Sequence, residues 1–332
     1  MENITFNINS SKNNDEFRFV KIAFLDTVHN VLEKGLRDLG HSCDDLTSVS
    51  NQEVYNLIAD YEGIVVRSRF PINKEFLEKC SSLKFIARSG AGMENIDIDF
   101  CDEHNIELFN APEGNRNAVG EHALGMLLSL FNNLSKGDAE IRNGKWDREG
   151  NRGIELDGKT VGLIGFGNNG SAFAKKLRGF DVQVLAYDKY KTDFGNEFVK
   201  ESTLEDLFEQ ADILSFHIPQ NQETIWMAGE EFLKRFKKNI WLINLARGKI
   251  VETKALLDAI EAGKVQGACL DVLEFEKSSF EDMFEGQTNE SFHKLLNSNK
   301  VLLSPHVGGW THESYYKLSQ VLLDKITKHF HL

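Results

Sequence analysis

The chain has 332 residues, enough for two domains of ordinary size, each with its own core. Hydrophobic residues make up 41% and charged residues 27%, the balance of a soluble globular protein rather than a disordered one. The formal net charge of −13, with no block of Lys or Arg, argues against nucleic acid and anionic membranes as partners.

Residues 1–16 are polar and Asn-rich and contain no apolar stretch of signal-peptide type, so a disordered leader is expected there. Residues 19–26 then read as a strand and 28–39 as a helix. Strands follow at 63–66, 84–88 and 106–110, with a helix at 74–80. Short apolar runs alternating with helical patterns imply parallel strands and crossover helices, the α/β class. Residues 117–134 read as one helix, apolar almost all round, and 136–158 as a polar, Gly-rich passage carrying Trp146. A second series has strands at 160–165, 182–187, 213–217, 240–244, 267–270 and 301–304, the rhythm of a dinucleotide-binding sheet. The last helix, 311–329, has no strand to follow and is expected to fold back onto the first domain. The expected division is 17–116 plus 311–332 for one domain and 117–310 for the other, with a cleft between them. Cys43, Cys80, Cys101 and Cys269 lack metal-ligand spacing and are expected as buried free thiols, with no metal site. The longest apolar run, around 123–131, is too short to span a bilayer, and a soluble cytoplasmic protein is expected.

Gly165-Phe166-Gly167-Asn168-Asn169-Gly170 ends a predicted strand and opens a predicted helix. In that context Gly165 permits the tight turn, Gly167 lets backbone approach a pyrophosphate, and Gly170 lets helix and strand pack closely. The next strand runs into Asp188, whose carboxylate suits the ribose hydroxyls of NAD and repels a 2′-phosphate, although Lys189 stands beside it. Asn169 occupies a position where an apolar residue would normally pack; a hydrogen bond near the phosphates is one account of it.

The last three strands run into Leu245-Ala246-Arg247, into Asp271 with Glu276 beyond it, and into Pro305-His306-Val307-Gly308. An arginine offers a carboxylate a fixed two-pronged cation, and a histidine exchanges a proton near neutral pH. A carboxylate bonded to that histidine would orient its ring and raise its pKa. Glu276 is the expected partner, with Glu274 as its rival.

In combination, GFGNNG, Asp188, INLARGKIV, ACLDVLEFE and SPHVGG resemble the D-2-hydroxyacid dehydrogenase family, and within it the phosphoglycerate dehydrogenases. That resemblance extends over essentially the whole chain beyond the leader. It implies two doubly wound domains, a flavodoxin-like substrate domain and a Rossmann NAD-binding domain. It further implies that Arg247 binds substrate, His306 is the acid/base and Glu276 its partner. Asp271 would meet the nicotinamide carboxamide, and His217 and Pro219 the adenosine side. Asn168, Asn169, Leu245, Ala246 and Gly308 would line the cofactor. Backbone amides of Ala91 and Gly92 would take the substrate carboxylate. The Arg67-Ser68-Arg69 loop, two cations and a hydroxyl, suits a phosphate and points to 3-phosphoglycerate and serine synthesis. Family members are usually dimers through the cofactor domain, which would account for the apolar helix at 117–134; burial inside one subunit is the other account. Lys277 stands where the family commonly has proline, and the stretch from Glu276 to His306 is longer than expected. A glyoxylate or hydroxypyruvate reductase, and an NAD-sensing protein of corepressor type, are the alternatives.

Overall fold

The computed structural model describes residues 20–276 and 289–330. The expected leader, Lys277 and the central part of the long loop before β12 lie outside these residues. Two parallel sheets form the frame. The first holds β1 (Lys21–Phe24), β2 (Ser42–Asp45), β3 (Gly63–Val66), β4 (Phe85–Arg88) and β5 (Glu107–Asn110), in the order β2-β1-β3-β4-β5. This is the flavodoxin-like order. Its crossovers carry α1 (Asn30–Asp38), α2 (Asn51–Leu57), α3 (Lys74–Leu77) and α4 (Ile98–Glu103). All of β3 is buried, as a strand covered on both faces must be.

From β5 the chain enters α5 (Pro112–Phe131) and then α6 (Leu134–Arg142). The helix expected at 117–134 thus begins earlier, with Pro112 in its first turn, where the missing N–H costs nothing. It stops at Asn132, and Asn133 takes a left-handed conformation (φ 51°) that turns the chain into α6. Part of the expected polar passage is therefore helical. Of the eight buried residues of α5, Val119, Ala123, Met126, Leu127 and Phe131 pack within this subunit in one core cluster with the second sheet.

The second sheet contains β6 (Thr160–Ile164), β7 (Gln183–Tyr187), β8 (Val199–Glu201), β9 (Ile213–Phe216), β10 (Ile240–Asn244), β11 (Val265–Leu270) and β12 (Val301–Leu303). Its helices are α7 (Asn168–Lys176), α8 (Leu204–Gln210), α9 (Glu230–Lys234), α10 (Thr253–Glu261) and α11 (Glu290–Leu296). The order β12-β11-β10-β9-β6-β7-β8 is the Rossmann arrangement with one added strand at the β12 edge. The short edge strand β8 was not expected. The order reverses between β6 and β9, and the crevice at that switch point is where such sheets bind ligands.

Finally α12 (His312–His329) returns to the first sheet. Thr311 caps it: its side chain accepts from the Ser314 amide. Leu318, Leu322 and Ile326 complete a core cluster with Ile22, Phe24, Val65 and Phe85. Among the described residues no helix is long and apolar enough to cross a membrane.

Candidate active site

At the end of β6, Gly165 takes φ 94°, and a Cβ there would lie 2.5 Å from the His217 carbonyl oxygen. A Cβ on Gly170 would lie 2.1 Å from the Gly165 oxygen, so α7 sits directly on the turn. Gly167 is the N-cap of α7 without a side-chain cap, which leaves the helix's first amides for an anion. Asn168 accepts from Arg116 at 3.2 Å. Asp188 holds the loop together: one oxygen accepts from the Phe166 amide (2.8 Å) and the other from Tyr190 (2.9 Å) and Lys191 (3.1 Å). Burial pushes its pKa up, but these three amides outweigh burial and leave it below the usual carboxylate range. Lys189 is paired with Glu223 at 2.5 Å, so its charge is already answered.

His217 is bonded through Nε2 to Ser215 Oγ (2.9 Å), and burial pushes its pKa down to about 4. Pro219 begins the following turn, its carbonyl accepting from Thr224. Leu245 and Ala246 are buried beneath the crevice. The Asn169 Oδ1 atom is buried without a hydrogen-bond partner among the described residues, and the side chain lines the same cavity as Leu245, Asp271 and His306. Its oxygen awaits a donor. Glycine turn, uncapped amides, loop carboxylate and orphaned oxygen together fit a dinucleotide.

His306 stands at φ 55°, a left-handed conformation uncommon for a residue with a side chain. Asp271 enforces it. The Asp271 carbonyl accepts from the His306 amide (2.8 Å), while its carboxylate accepts from Val307 (2.9 Å), Gly308 (2.8 Å) and the Ser304 hydroxyl (2.6 Å). His122, from α5, bonds Ser304 behind this loop at 2.9 Å. Burial raises the Asp271 pKa, but these bonds outweigh it and leave the group below the ordinary carboxylate value.

His306 Nδ1 lies 2.7 Å from Glu276 Oε2. The other Glu276 oxygen accepts from the Leu273 amide at 2.5 Å, which fixes the carboxylate on its own turn. Glu274 points elsewhere: it accepts from the Trp226 indole (2.8 Å) and from the Thr253 amide at the start of α10 (2.9 Å). Of the two carboxylates, Glu276 is the one that lies against His306.

Two adjoining cavities, of about 300 and about 370 Å³, share Ser68, Arg88 and Arg247. His306, Ala91 and Gly92 line the smaller one, Glu94 and Glu276 the larger. Arg67 stacks its guanidinium 4.3 Å from the Trp310 ring centre. A single oxygen of Asp26 accepts from the amides of Arg67, Ser68 and Arg69 and so shapes their loop. Arg69, of the same loop, lines the larger cavity. Its guanidinium donates to the Leu25 (3.1 Å), Leu46 (2.9 Å) and Val49 carbonyls and to Asn51 Oδ1 (2.9 Å), and so serves the fold. Arg88, at the end of β4, brings a further guanidinium to both cavities. Burial foremost, with repulsion from Arg247 and Arg67, pushes its pKa down to about 10. Arg88 ends a strand on the same sheet edge as Arg67. Arg247 donates to both oxygens of Glu94, at 2.7 and 3.2 Å, and to the Ala246 carbonyl at 2.6 Å.

Residues 124–308 match the family described as D-isomer specific 2-hydroxyacid dehydrogenase, NAD binding domain. The hydroxypyruvate reductase of Thermotoga maritima is 33% identical over 91% of this chain and 96% of its own length. The D-3-phosphoglycerate dehydrogenase of Archaeoglobus fulgidus is also 33% identical, over 88% of this chain but 54% of its own, so the chain spans about half the length of that relative. Among solved structures, the D-lactate dehydrogenase of Aquifex aeolicus with NAD and lactic acid superposes with a TM-score of 0.79 at 27% identity, covering 93% of this chain and 95% of the other. With this breadth of likeness and an NAD crevice built from its own residues, the chain belongs to the D-isomer specific 2-hydroxyacid dehydrogenase family.

Proposed function

We propose that this protein is an NAD-dependent dehydrogenase that interconverts D-3-phosphoglycerate and 3-phosphohydroxypyruvate, the entry to serine synthesis, in the cytoplasm. The observation that carries this reading is the convergence of Arg67, Arg88 and Arg247 on the cavity lined by His306. A phosphorylated 2-oxo acid brings charge at both ends, and three guanidiniums suit it better than they suit a small uncharged tail. Arg247 and the amides of Ala91 and Gly92 hold the carboxylate; Arg67, Ser68 and Arg88 hold the phosphate. His306 takes the hydroxyl proton in oxidation and returns it in reduction through Nε2, because Nδ1 is engaged by Glu276. Glu276 fixes the ring and balances the imidazolium charge. NAD, when bound, accepts or supplies the hydride. Asp188, Gly165, Gly167, Asn169 and Gly170 would hold its adenosine and phosphate parts, His217 and Pro219 would flank the adenosine, and Asp271 and Gly308 would face the nicotinamide end.

The substrate domain comprises 17–116 plus 311–332 and the NAD-binding domain 117–310. A homodimer through the latter would cover Leu134, Ile141 and Trp146, apolar side chains that are 59, 58 and 78% exposed. A second reading, a hydroxypyruvate or glyoxylate reductase, is favoured by the near-complete overlap in length with the Thermotoga relative.

NADH oxidation with phosphohydroxypyruvate, hydroxypyruvate and glyoxylate, measured side by side, tests the proposal. Preference for the phosphorylated acid, lost by at least about a hundredfold in His306→Ala, is the expected result. Turnover of only the small acids would replace the substrate and keep the mechanism. NADH binding without turnover of any acid would point to an NAD-sensing role.

A further inference from the structure

Arg247 extends from the second sheet across the cleft, and the group in its fork is Glu94, from the loop after β4 of the first sheet. Both prongs are engaged, Nε by Oε1 at 2.7 Å and Nη2 by Oε2 at 3.2 Å, the bidentate geometry in which a free carboxylate binds arginine. The remaining nitrogen donates to the Ala246 carbonyl. The pair lies directly on the loop that offers amides to an incoming acid. A Cβ on Gly92 would sit 2.0 Å from Arg247 Nη2 and 2.1 Å from Glu94 Oε2, so the pair lies directly against this glycine. The protein's own carboxylate therefore occupies an arginine fork above Gly92, in a cavity that Arg69, Arg88 and Lys249 line together with Glu274 and Glu276.

A second cation stands close by. Arg88 lines both cavities, and its Nε is buried without a hydrogen-bond partner among the described residues. Glu94 feels the charges of both Arg247 and Arg88. Arg88 is thus a second guanidinium that lines the same cavity as Glu94.

We propose that Glu94 is the resident counter-ion of the substrate seat, holding the place of the substrate's carboxylate on Arg247 and giving it up to Arg88 when substrate enters. The inference rests on Arg247 as the substrate's anchor and adds a device for selectivity. Because Glu94 is tethered, it competes at high effective concentration, and a plain monocarboxylate cannot displace it. A 2-oxo acid brings a second oxygen beside the carboxylate and can. The seat rejects ordinary carboxylates by keeping one of its own in place.

Oxalate, which carries adjacent oxygens and cannot be reduced here, is the probe. Its dissociation constant is measured by calorimetry on the NADH-saturated protein, for wild type, Glu94→Gln and Glu94→Asp, alongside KM for the three 2-oxo acids. Melting midpoint and NADH affinity show that each variant is folded. Glu94→Gln removes the competing charge and Glu94→Asp withdraws it by one methylene. Both are expected to bind oxalate about tenfold more tightly and to lower KM by a similar factor, with acetate becoming a measurable competitor in Glu94→Gln. Oxalate binding that is unchanged or weaker in both variants overturns the proposal and makes Glu94 a support that merely holds Arg247 in position. Wild-type turnover with unchanged oxalate binding in the variants would remove the inference and leave the dehydrogenase reading intact. Tight oxalate binding by Glu94→Gln without turnover of any acid by wild type would do the reverse.

Discussion

His306 combines two properties that ordinarily conflict: a left-handed backbone, at φ 55°, and a long side chain that must be aimed. Three backbone bonds to Asp271 hold that conformation from His306 to Gly308. In most positions glycine is less stable than alanine by about 1 kcal/mol. Here the order should invert. Both His306→Gly and His306→Ala lose the Glu276 pair and the acid/base group, but only glycine adopts the left-handed region without penalty. Urea unfolding is expected to find the glycine variant more stable by about 1 kcal/mol. Equal midpoints, or the usual order, would mean that the loop relaxes out of the left-handed region once the imidazole is gone.

The elements differ in what their sequences announce. Strands β3, β6 and β10 were legible because they are buried on both faces and read as unbroken apolar runs. β2 was not, since Ser42-Cys43-Asp44-Asp45 is an edge strand held by pairing to β1 rather than by apolar side chains. α2 was also missed: Val54 is its one buried residue, although Ser50 and Glu53 form a capping box. At the site, Arg247, Glu276 and His306 were visible as residues leaving neighbouring strand ends. The bonds that Arg69 makes to the Leu25, Leu46 and Val49 carbonyls and the occupation of Arg247 by Glu94 depend on which partner each guanidinium meets across the chain, and no spacing encodes that. Helix packing carries its own test. A Cβ on Gly114 of α5 would come within 2.7 and 2.8 Å of the Leu318 backbone in α12. Gly114→Ala should therefore cost about 1–3 kcal/mol in thermal or urea unfolding, against the gain that alanine brings to an open helix. At the end of β9, His217 offers a pH test. Its folded pKa of about 4 lies below the unfolded value of 6.5, so on acidification the unfolded chain takes the proton first. Stability contributed by the neutral ring is complete above pH 6.5 and is lost as pH falls towards 4, by at most about 3 kcal/mol. His217→Gln should flatten that limb of the pH–stability curve.

At the scale of the whole molecule, a chain of net charge −13 gathers Arg67, Arg88 and Arg247 in its cleft. The path of the chain has a different consequence, for the order of assembly. One face of the first sheet is covered by elements made close to it, through Val54, Ile58, Phe76 and Phe100. The other face needs Leu318, Leu322 and Ile326 of α12, which follow the entire second sheet in the chain. The sheet synthesised first is thus the one finished last. In pulse-labelled hydrogen exchange during refolding, amides of β6, β9 and β10 are expected to gain protection before those of β1 and β3. Leu322→Ala should delay only the second group. On a ribosome, the growing chain would carry an apolar flank of Ile22, Phe24 and Phe85 covered only in part, by Leu32 and Leu36 of α1, until α12 emerges, a window in which a chaperone that shields exposed apolar surface would raise the yield of native protein.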